Sequence, residues 1–179
     1  MTKPYYTLYT MFTSLKRVVG LIMRYHRFTA VLAGAALFLA TAAAAEIMSV
    51  STEKANVREG PGTENPALWQ AWRFTPFEVQ EWSGEWAYVK DFAGDAGWLH
   101  KSVLSETPAV IVAGKYANIR TGPGLEYEVT VSVEREYPLR AIERNGDWLK
   151  VSDDGEIEGW IFIKLVWGNI DPGGMDYDI

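Results

Sequence analysis

Ala55-Asn56-Val57-Arg58-Glu59-Gly60-Pro61-Gly62 returns as Ala117-Asn118-Ile119-Arg120-Thr121-Gly122-Pro123-Gly124, 62 residues further on. The offset holds without a gap across a whole unit. It pairs Arg73 with Arg135, Pro76 with Pro138, Gly84 with Gly146, Trp86 with Trp148, Gly97 with Gly159 and Trp98 with Trp160. Self-similarity at a fixed period marks a duplicated structural unit. The copies run over residues 47–104 and 109–166, with Ser105-Glu106-Thr107-Pro108 as the linker 105–108.

Each copy reads as short strands separated by turns, with no helical period. Val129, Val131 and Val133 alternate with Thr130, Ser132 and Glu134, the period of two of a half-buried strand. Ser83-Gly84-Glu85 and Asn145-Gly146-Asp147 sit between apolar runs as hairpin turns, where glycine supplies positive φ. Gly-Pro-Gly is a tight loop that neither a helix nor a strand ladder accepts. Five or six strands in about 58 residues predict a small closed barrel, because closure removes exposed edges.

Asn-(Val/Ile)-Arg-x-Gly-Pro-Gly, then Gly-(Glu/Asp)-Trp-x-x-Val, then Gly-Trp-(Leu/Ile) resemble the bacterial SH3 domain in two tandem copies. The expected fold is therefore all-β: two tandem small SH3-like β-barrels after an N-terminal signal peptide. The resemblance implies a module for cell-wall or protein binding that usually stands beside a catalytic domain. No such domain is recognisable in residues 47–166.

Residues 1–45 hold five basic side chains (Lys3, Lys16, Arg17, Arg24, Arg27) and no Asp or Glu. An apolar run from Phe28 to Ala40 follows, ending in Thr41-Ala42-Ala43-Ala44-Ala45. These are the three parts of a signal peptide, with cleavage after Ala45 and a periplasmic or secreted product. The competing reading is an uncleaved anchor, since Phe28 to Ala45 spans 18 residues, near the minimum for crossing a bilayer. A membrane is a partner only in that second case. Met23 to Arg27 would make a complete basic region alone, so the true start is Met1 or Met23.

Of 179 residues, 17 are Lys or Arg and 23 are Asp or Glu, for a net charge of −6. Without residues 1–45 the balance becomes 12 against 23, or −11. Such acidity argues against nucleic acid, whose phosphates demand clustered cations. It equally discourages adhesion to anionic wall polymers or phospholipid headgroups. With no cysteine, thiol chemistry and zinc–thiolate sites are excluded. His100 is the single imidazole beyond residue 45, which leaves a Ser-His-Asp site without support. Glu81 and Glu143 align but form no recognisable acid–base pair, and Asp153-Asp154-Gly155-Glu156 lacks calcium-loop spacing and reads as a solvated hairpin tip. No cofactor or metal is expected, and the chain is read as non-enzymatic.

Residues common to both copies are first assigned to the fold. The pairs Trp86/Trp148 and Trp98/Trp160 are expected to fill the two barrel cores, with ligand contact by Trp86 and Trp148 as the alternative. The paired glycines of the loops and of Gly97/Gly159 should hold backbone that a Cβ would strain. Arg58 and Arg120 should pin their loops to a carboxylate or carbonyl. The differences point outward. Ala67, Trp69 and Ala71 match the valines and should face inward, so Leu68, Gln70 and Trp72 should face out, opposite Thr130, Ser132 and Glu134. Trp82 stands where the second copy has Arg144. Exposed large apolar residues mark interfaces. Leu68, Trp72 and Trp82 are therefore the candidate partner-binding residues, for a cell-wall peptide or an envelope protein. The competing expectation is that they pack against the second barrel or a neighbouring subunit, making the chain a structural adaptor. The tail, residues 167–179, is expected to be a flexible acidic extension.

Overall fold

The computed structural model describes residues 46–173. The signal-peptide or anchor reading of residues 1–45 and the end of the tail lie outside the described residues. Among those described there is no α-helix, and no helix long and apolar enough to cross a membrane.

The first repeat contributes β1 (Glu46–Val50), β2 (Lys54–Arg58), β3 (Ala67–Trp72), β4 (Pro76–Ser83), β5 (Trp86–Lys90), β6 (Ala96–His100) and β7 (Leu104–Ser105). The second contributes β8 (Ala109–Val112), β9 (Tyr116–Arg120), β10 (Val129–Glu134), β11 (Pro138–Asn145), β12 (Trp148–Ser152), β13 (Glu158–Phe162) and β14 (Val166–Gly168). Each repeat forms a seven-stranded sheet, ordered β3-β2-β6-β5-β4-β1-β7 and β10-β9-β13-β12-β11-β8-β14. The seven strands exceed the five or six expected because short β7 and β14 pair with β1 and β8. The hairpins turn at Gly84 and Gly146, with φ of 59° and 58°, as their sequences require.

One face of each sheet is buried almost wholly by its own residues, so each sheet must curl around its own core. Val50, Val57, Phe77, Val89, Leu99 and Leu104 anchor the first core. Val110, Ile119, Leu139, Leu149, Val151 and Ile161 anchor the second. No tryptophan belongs to either buried set. The expected indole-filled cores are thus corrected, and the reason is register. Ala87 pairs with Leu99 and Val89 with Gly97, so Trp86, Tyr88, Trp98 and His100 occupy the opposite, outer face. Aliphatic side chains, joined by Phe77 in the first core, suffice inside because the strands approach closely. A Cβ on Gly159 would lie 2.6 Å from the Arg120 carbonyl oxygen and 2.7 Å from Ile119 Cγ2, and one on Gly97 would lie 2.6 Å from Val57 Cγ1. These glycines supply space between strands; neither has a left-handed φ.

A β-bulge interrupts the pairing of β2 with β3 and of β9 with β10. It qualifies the inward set. Ala71 and Val133 are buried and Trp69 and Val131 half-buried, whereas Ala67 and Val129 are turned out to solvent.

The linker is stitched to both barrels. Ser49 Oγ donates to the Thr107 carbonyl at 2.8 Å, and the Ala141 amide donates to the Pro108 carbonyl at 2.9 Å. Two cross-barrel contacts are reciprocal under the 62-residue offset. Arg73 lies 3.6 Å from Asp154, and Arg135 stacks over the Phe92 ring at 4.7 Å. Each contact joins one copy's corner arginine to the hairpin tip of the other, the pattern of a two-fold interface. Asp154 also receives Arg140 Nε at 2.8 Å. The 153–156 tip is therefore docked rather than simply solvated. Beneath it, Asp153 Oδ1 accepts from the amides of Gly155 and Ile157, and Tyr137 donates to Oδ2 at 3.1 Å. Burial pushes the Asp153 carboxyl up, but these donors outweigh it and hold the group below the ordinary carboxylate range. Burial raises the Tyr137 phenol, helped by its bond to Asp153.

The tail begins later than expected. Trp167 and Gly168 pair with Ile111 and Val110, and Ile170 packs on the second core. The outer face of β8 explains this, since Ala109 and Ile111 are apolar and need cover.

Candidate functional site: a groove made twice

Each barrel carries a groove on its outer face, between the Gly-Pro-Gly loop and the tryptophan that opens the fifth strand. Nine lining positions correspond under the offset, so the duplication has copied a surface as well as a core. Asn56 and Asn118 and then Arg58 and Arg120 form the floor, from alternate outward positions of β2 and β9. Glu64 and Glu126 stand on the loop side. Trp86 and Trp148 stand opposite, half-buried. Trp86 meets His100 edge-on at 5.1 Å, and Trp148 meets Phe162 at 5.5 Å.

The arginines hold the loops as the sequence implies. Arg58 Nη1 donates to the Asn65 carbonyl at 2.7 Å, and Arg120 Nη1 donates to the carbonyls of Leu125 at 3.1 Å and Tyr127 at 2.7 Å. These bonds fix a loop that has no regular ladder to join. Drawing the two carbonyls inward turns the Leu125 and Tyr127 side chains out, 76% and 42% exposed.

The candidate residues Leu68, Trp72 and Trp82 are all exposed, yet they do not form one cluster. Trp72 adjoins the first groove, because Lys54, which lines it, sits 4.1 Å over the Trp72 ring. Leu68 lies at the bulge, between the Arg58–Ala67 and Val57–Trp69 pairs. Trp82 is on β4, separated from β3 by three strands, and pairs with Ala87 at the hairpin tip. Reading by sequence missed the apolar rim of the second barrel, formed by Tyr116, Leu125, Tyr127 and Val129. A position-by-position comparison of the loops would have found it, since Leu125 replaces Thr63 and Tyr116 replaces Lys54. His100 is half-buried, with Nδ1 accepting the Ser102 amide at 3.2 Å and lying 2.8 Å from Ser102 Oγ, and it lines the first groove. Among the described residues no group of three or more His, Cys, Asp or Glu could hold a metal ion.

Curled seven-stranded sheets with copied outer grooves define a tandem β-barrel protein. The chain belongs to the bacterial SH3 domain family, whose model matches residues 51–106 and 113–168. Domains of this family are cell-wall binding modules and occur in exported, wall-associated proteins. The chain is 22% identical over 137 residues to the Bacillus subtilis (strain 168) protein named "Putative N-acetylmuramoyl-L-alanine amidase YrvJ". The match covers 70% of this chain and 26% of that protein, so the chain spans about a quarter of its relative. Similar solved structures include NlpC2 from Trichomonas vaginalis (14% identity, 69% of this chain, 48% of that one, TM-score 0.33). An NlpC/P60 family protein from Bacillus cereus ATCC 10987 is also similar (12% identity, 68% of this chain, 56% of that one, TM-score 0.33).

Proposed function

We propose that the chain is an exported, non-enzymatic binding module that recognises a cell-wall peptide or an envelope protein. The observation that carries this reading is the copied groove. Arg58/Arg120, Glu64/Glu126 and Trp86/Trp148 recur on the outer face, outside both buried cores. An aromatic wall over a hydrogen-bonding floor suits an extended peptide, which offers amides to the floor and side chains to the ring. Leu68, Trp72 and Trp82 extend the contact surface of the first barrel, Trp72 as the groove's outer edge. Export follows from the basic, then apolar, then alanine-rich residues 1–45.

A second reading, an adaptor in an envelope assembly without a small ligand, draws on the reciprocal Arg73–Asp154 and Arg135–Phe92 contacts. One experiment separates the two. Trp72→Ala and Trp82→Ala variants are followed by thermal unfolding and, independently, by pull-down on purified peptidoglycan and on envelope lysate. The binding-module reading expects weaker capture with little change in unfolding. Capture unchanged beside a large loss of stability would reject a ligand role for the two tryptophans.

A further inference from the structure

Resting on the reading of the grooves as ligand sites, we propose that the chain is a bivalent bridge. Each barrel holds one peptide of the cell wall, so one molecule ties two wall peptides together. The two grooves offer the same chemistry. Asn, Arg, Gly, Glu and Trp recur unchanged among their corresponding positions. Where the residues differ, the contact is kept. A lysine ammonium lies over an aromatic ring at both rims, Lys54 over Trp72 at 4.1 Å and Lys115 over Tyr116 at 5.3 Å. A second ring, His100 or Phe162, meets the groove tryptophan at 5.1 or 5.5 Å. An acidic residue precedes each tryptophan, and its carbonyl is bound alike: the Lys101 amide donates to Glu85 at 2.8 Å and the Ile163 amide to Asp147 at 3.0 Å. Thr63 against Leu125 alters one point on the loop side and leaves the floor intact.

The joint between the barrels leaves both grooves open. It docks the hairpin tips of β5–β6 and β12–β13 on the corner arginines of the opposite copy. Each tip is ordered by an aspartate at the same position. Asp91 Oδ1 accepts the amides of Ala93, Gly94 and Asp95 at 2.9 Å, as Asp153 Oδ1 accepts those of Gly155 and Ile157. The aromatic walls stand at the other end of the same hairpins. Trp86 pairs with His100 and Trp148 with Phe162, four residues from the Lys90–Ala96 and Ser152–Glu158 pairs beside the tips. At about 3.3 Å per residue, wall and joint are about 13 Å apart along each hairpin. Among the described residues, none that lines a groove takes part in the cross-barrel contacts of Arg73, Arg135 or the linker. Two equivalent grooves outside a reciprocal joint match a ligand presented many times on one scaffold. Wall peptides are presented so along their polymer, whereas a folded partner protein offers its epitope once. Each groove also carries both charges, Arg58 with Glu64 and Arg120 with Glu126, the complement of a peptide bearing an amine and a carboxylate.

The test uses the full chain and a soluble muropeptide carrying one stem peptide, in plain, biotinylated and fluorescein-labelled forms. Titration calorimetry with the plain form is expected to find two sites per wild-type chain and one in Trp86→Ala or in Trp148→Ala. Wild-type chain held on beads sparsely loaded with the biotinylated form should capture the labelled form. Either single variant should stay on the beads and capture none. Release from insoluble peptidoglycan should be on the order of 10²-fold faster for either variant, because losing one site removes the avidity of the pair. Circular dichroism checks that each variant is folded, and native mass spectrometry of the wild type counts bound muropeptides without any variant. One site per wild-type chain, with no labelled muropeptide captured, would overturn the bridge and leave a module that binds through one groove. Two sites persisting in both variants would overturn it by placing the ligand outside the grooves. No binding of the muropeptide in any form would overturn the bridge together with the wall-peptide reading of the grooves.

Discussion

Replacing Gly159 with alanine tests how the barrel closes and how the groove depends on that closure. The new Cβ would sit 2.6 Å from the Arg120 carbonyl oxygen and 2.7 Å from Ile119 Cγ2. Neither obstacle is a flexible side-chain tip. The oxygen belongs to the backbone of β9, and Ile119 is fully buried in the second core. Relief to ordinary contact needs about 0.8 Å, which β9 can give only by loosening the Trp160–Arg120 pair or its ladder with β10. Overpacking of this kind costs about 1–3 kcal/mol, and the upper half of that range applies where backbone must move. For a barrel of this size 1 kcal/mol lowers the melting temperature by about 4–8 °C, so a fall on the order of 10–20 °C is expected. Thermal denaturation by circular dichroism measures it. The same shift of β9 moves Arg120 and the loop it holds, so the Trp148 indole signal should change in the folded variant. A Gly159→Ala protein within about 0.5 kcal/mol of wild type, the range typical of neutral surface changes, would refute the close β13–β9 approach.

Further outcomes follow from particular contacts. Leu99→Ala, at a fully buried position of the first core, should cost about 3–5 kcal/mol by chemical denaturation. The depressed Asp153 carboxyl stabilises the fold above its unfolded value near 3.8, and that contribution is lost as pH falls through the lower folded value. The raised Tyr137 phenol stabilises below its unfolded value near 10.0, and its contribution is lost as pH rises through the higher folded value. Tyr137→Phe should therefore remove this residue's share of the alkaline limb of a stability–pH profile and flatten part of the acid limb, where the two backbone donors to Asp153 remain. Asp154→Ala releases Arg73 and Arg140 together. Being partly exposed, these pairs should cost at most about 1 kcal/mol in stability, while small-angle scattering should report looser coupling of the barrels.

The duplication, the all-β class and the hairpin glycines were legible because each depends on local chemistry: a period of two, a left-handed φ, a repeated string. The side of the sheet on which the tryptophans stand was not. Trp86 and Trp98 look like core residues by hydrophobicity, and only their cross-strand register with His100 and Tyr88 puts them outside. A single bulge hid the fate of Ala67 and Val129, because a one-residue slip moves a side chain to the other face. The groove itself is non-local. It unites residues 54–64, 86 and 100–103, which no sequence window contains. The candidates Leu68, Trp72 and Trp82 came from comparing one strand and one turn between the copies. The place of Lys54 and Tyr116 beside Trp86 and Trp148 needed the groove to be seen first.

Co-sedimentation of the chain with insoluble purified peptidoglycan, wild type beside a Trp86→Ala/Trp148→Ala variant shown to be folded, tests the copied groove most directly. The grooves as binding surfaces predict wild-type protein in the pellet and the double variant in the supernatant. Equal pelleting of the two proteins would contradict that assignment.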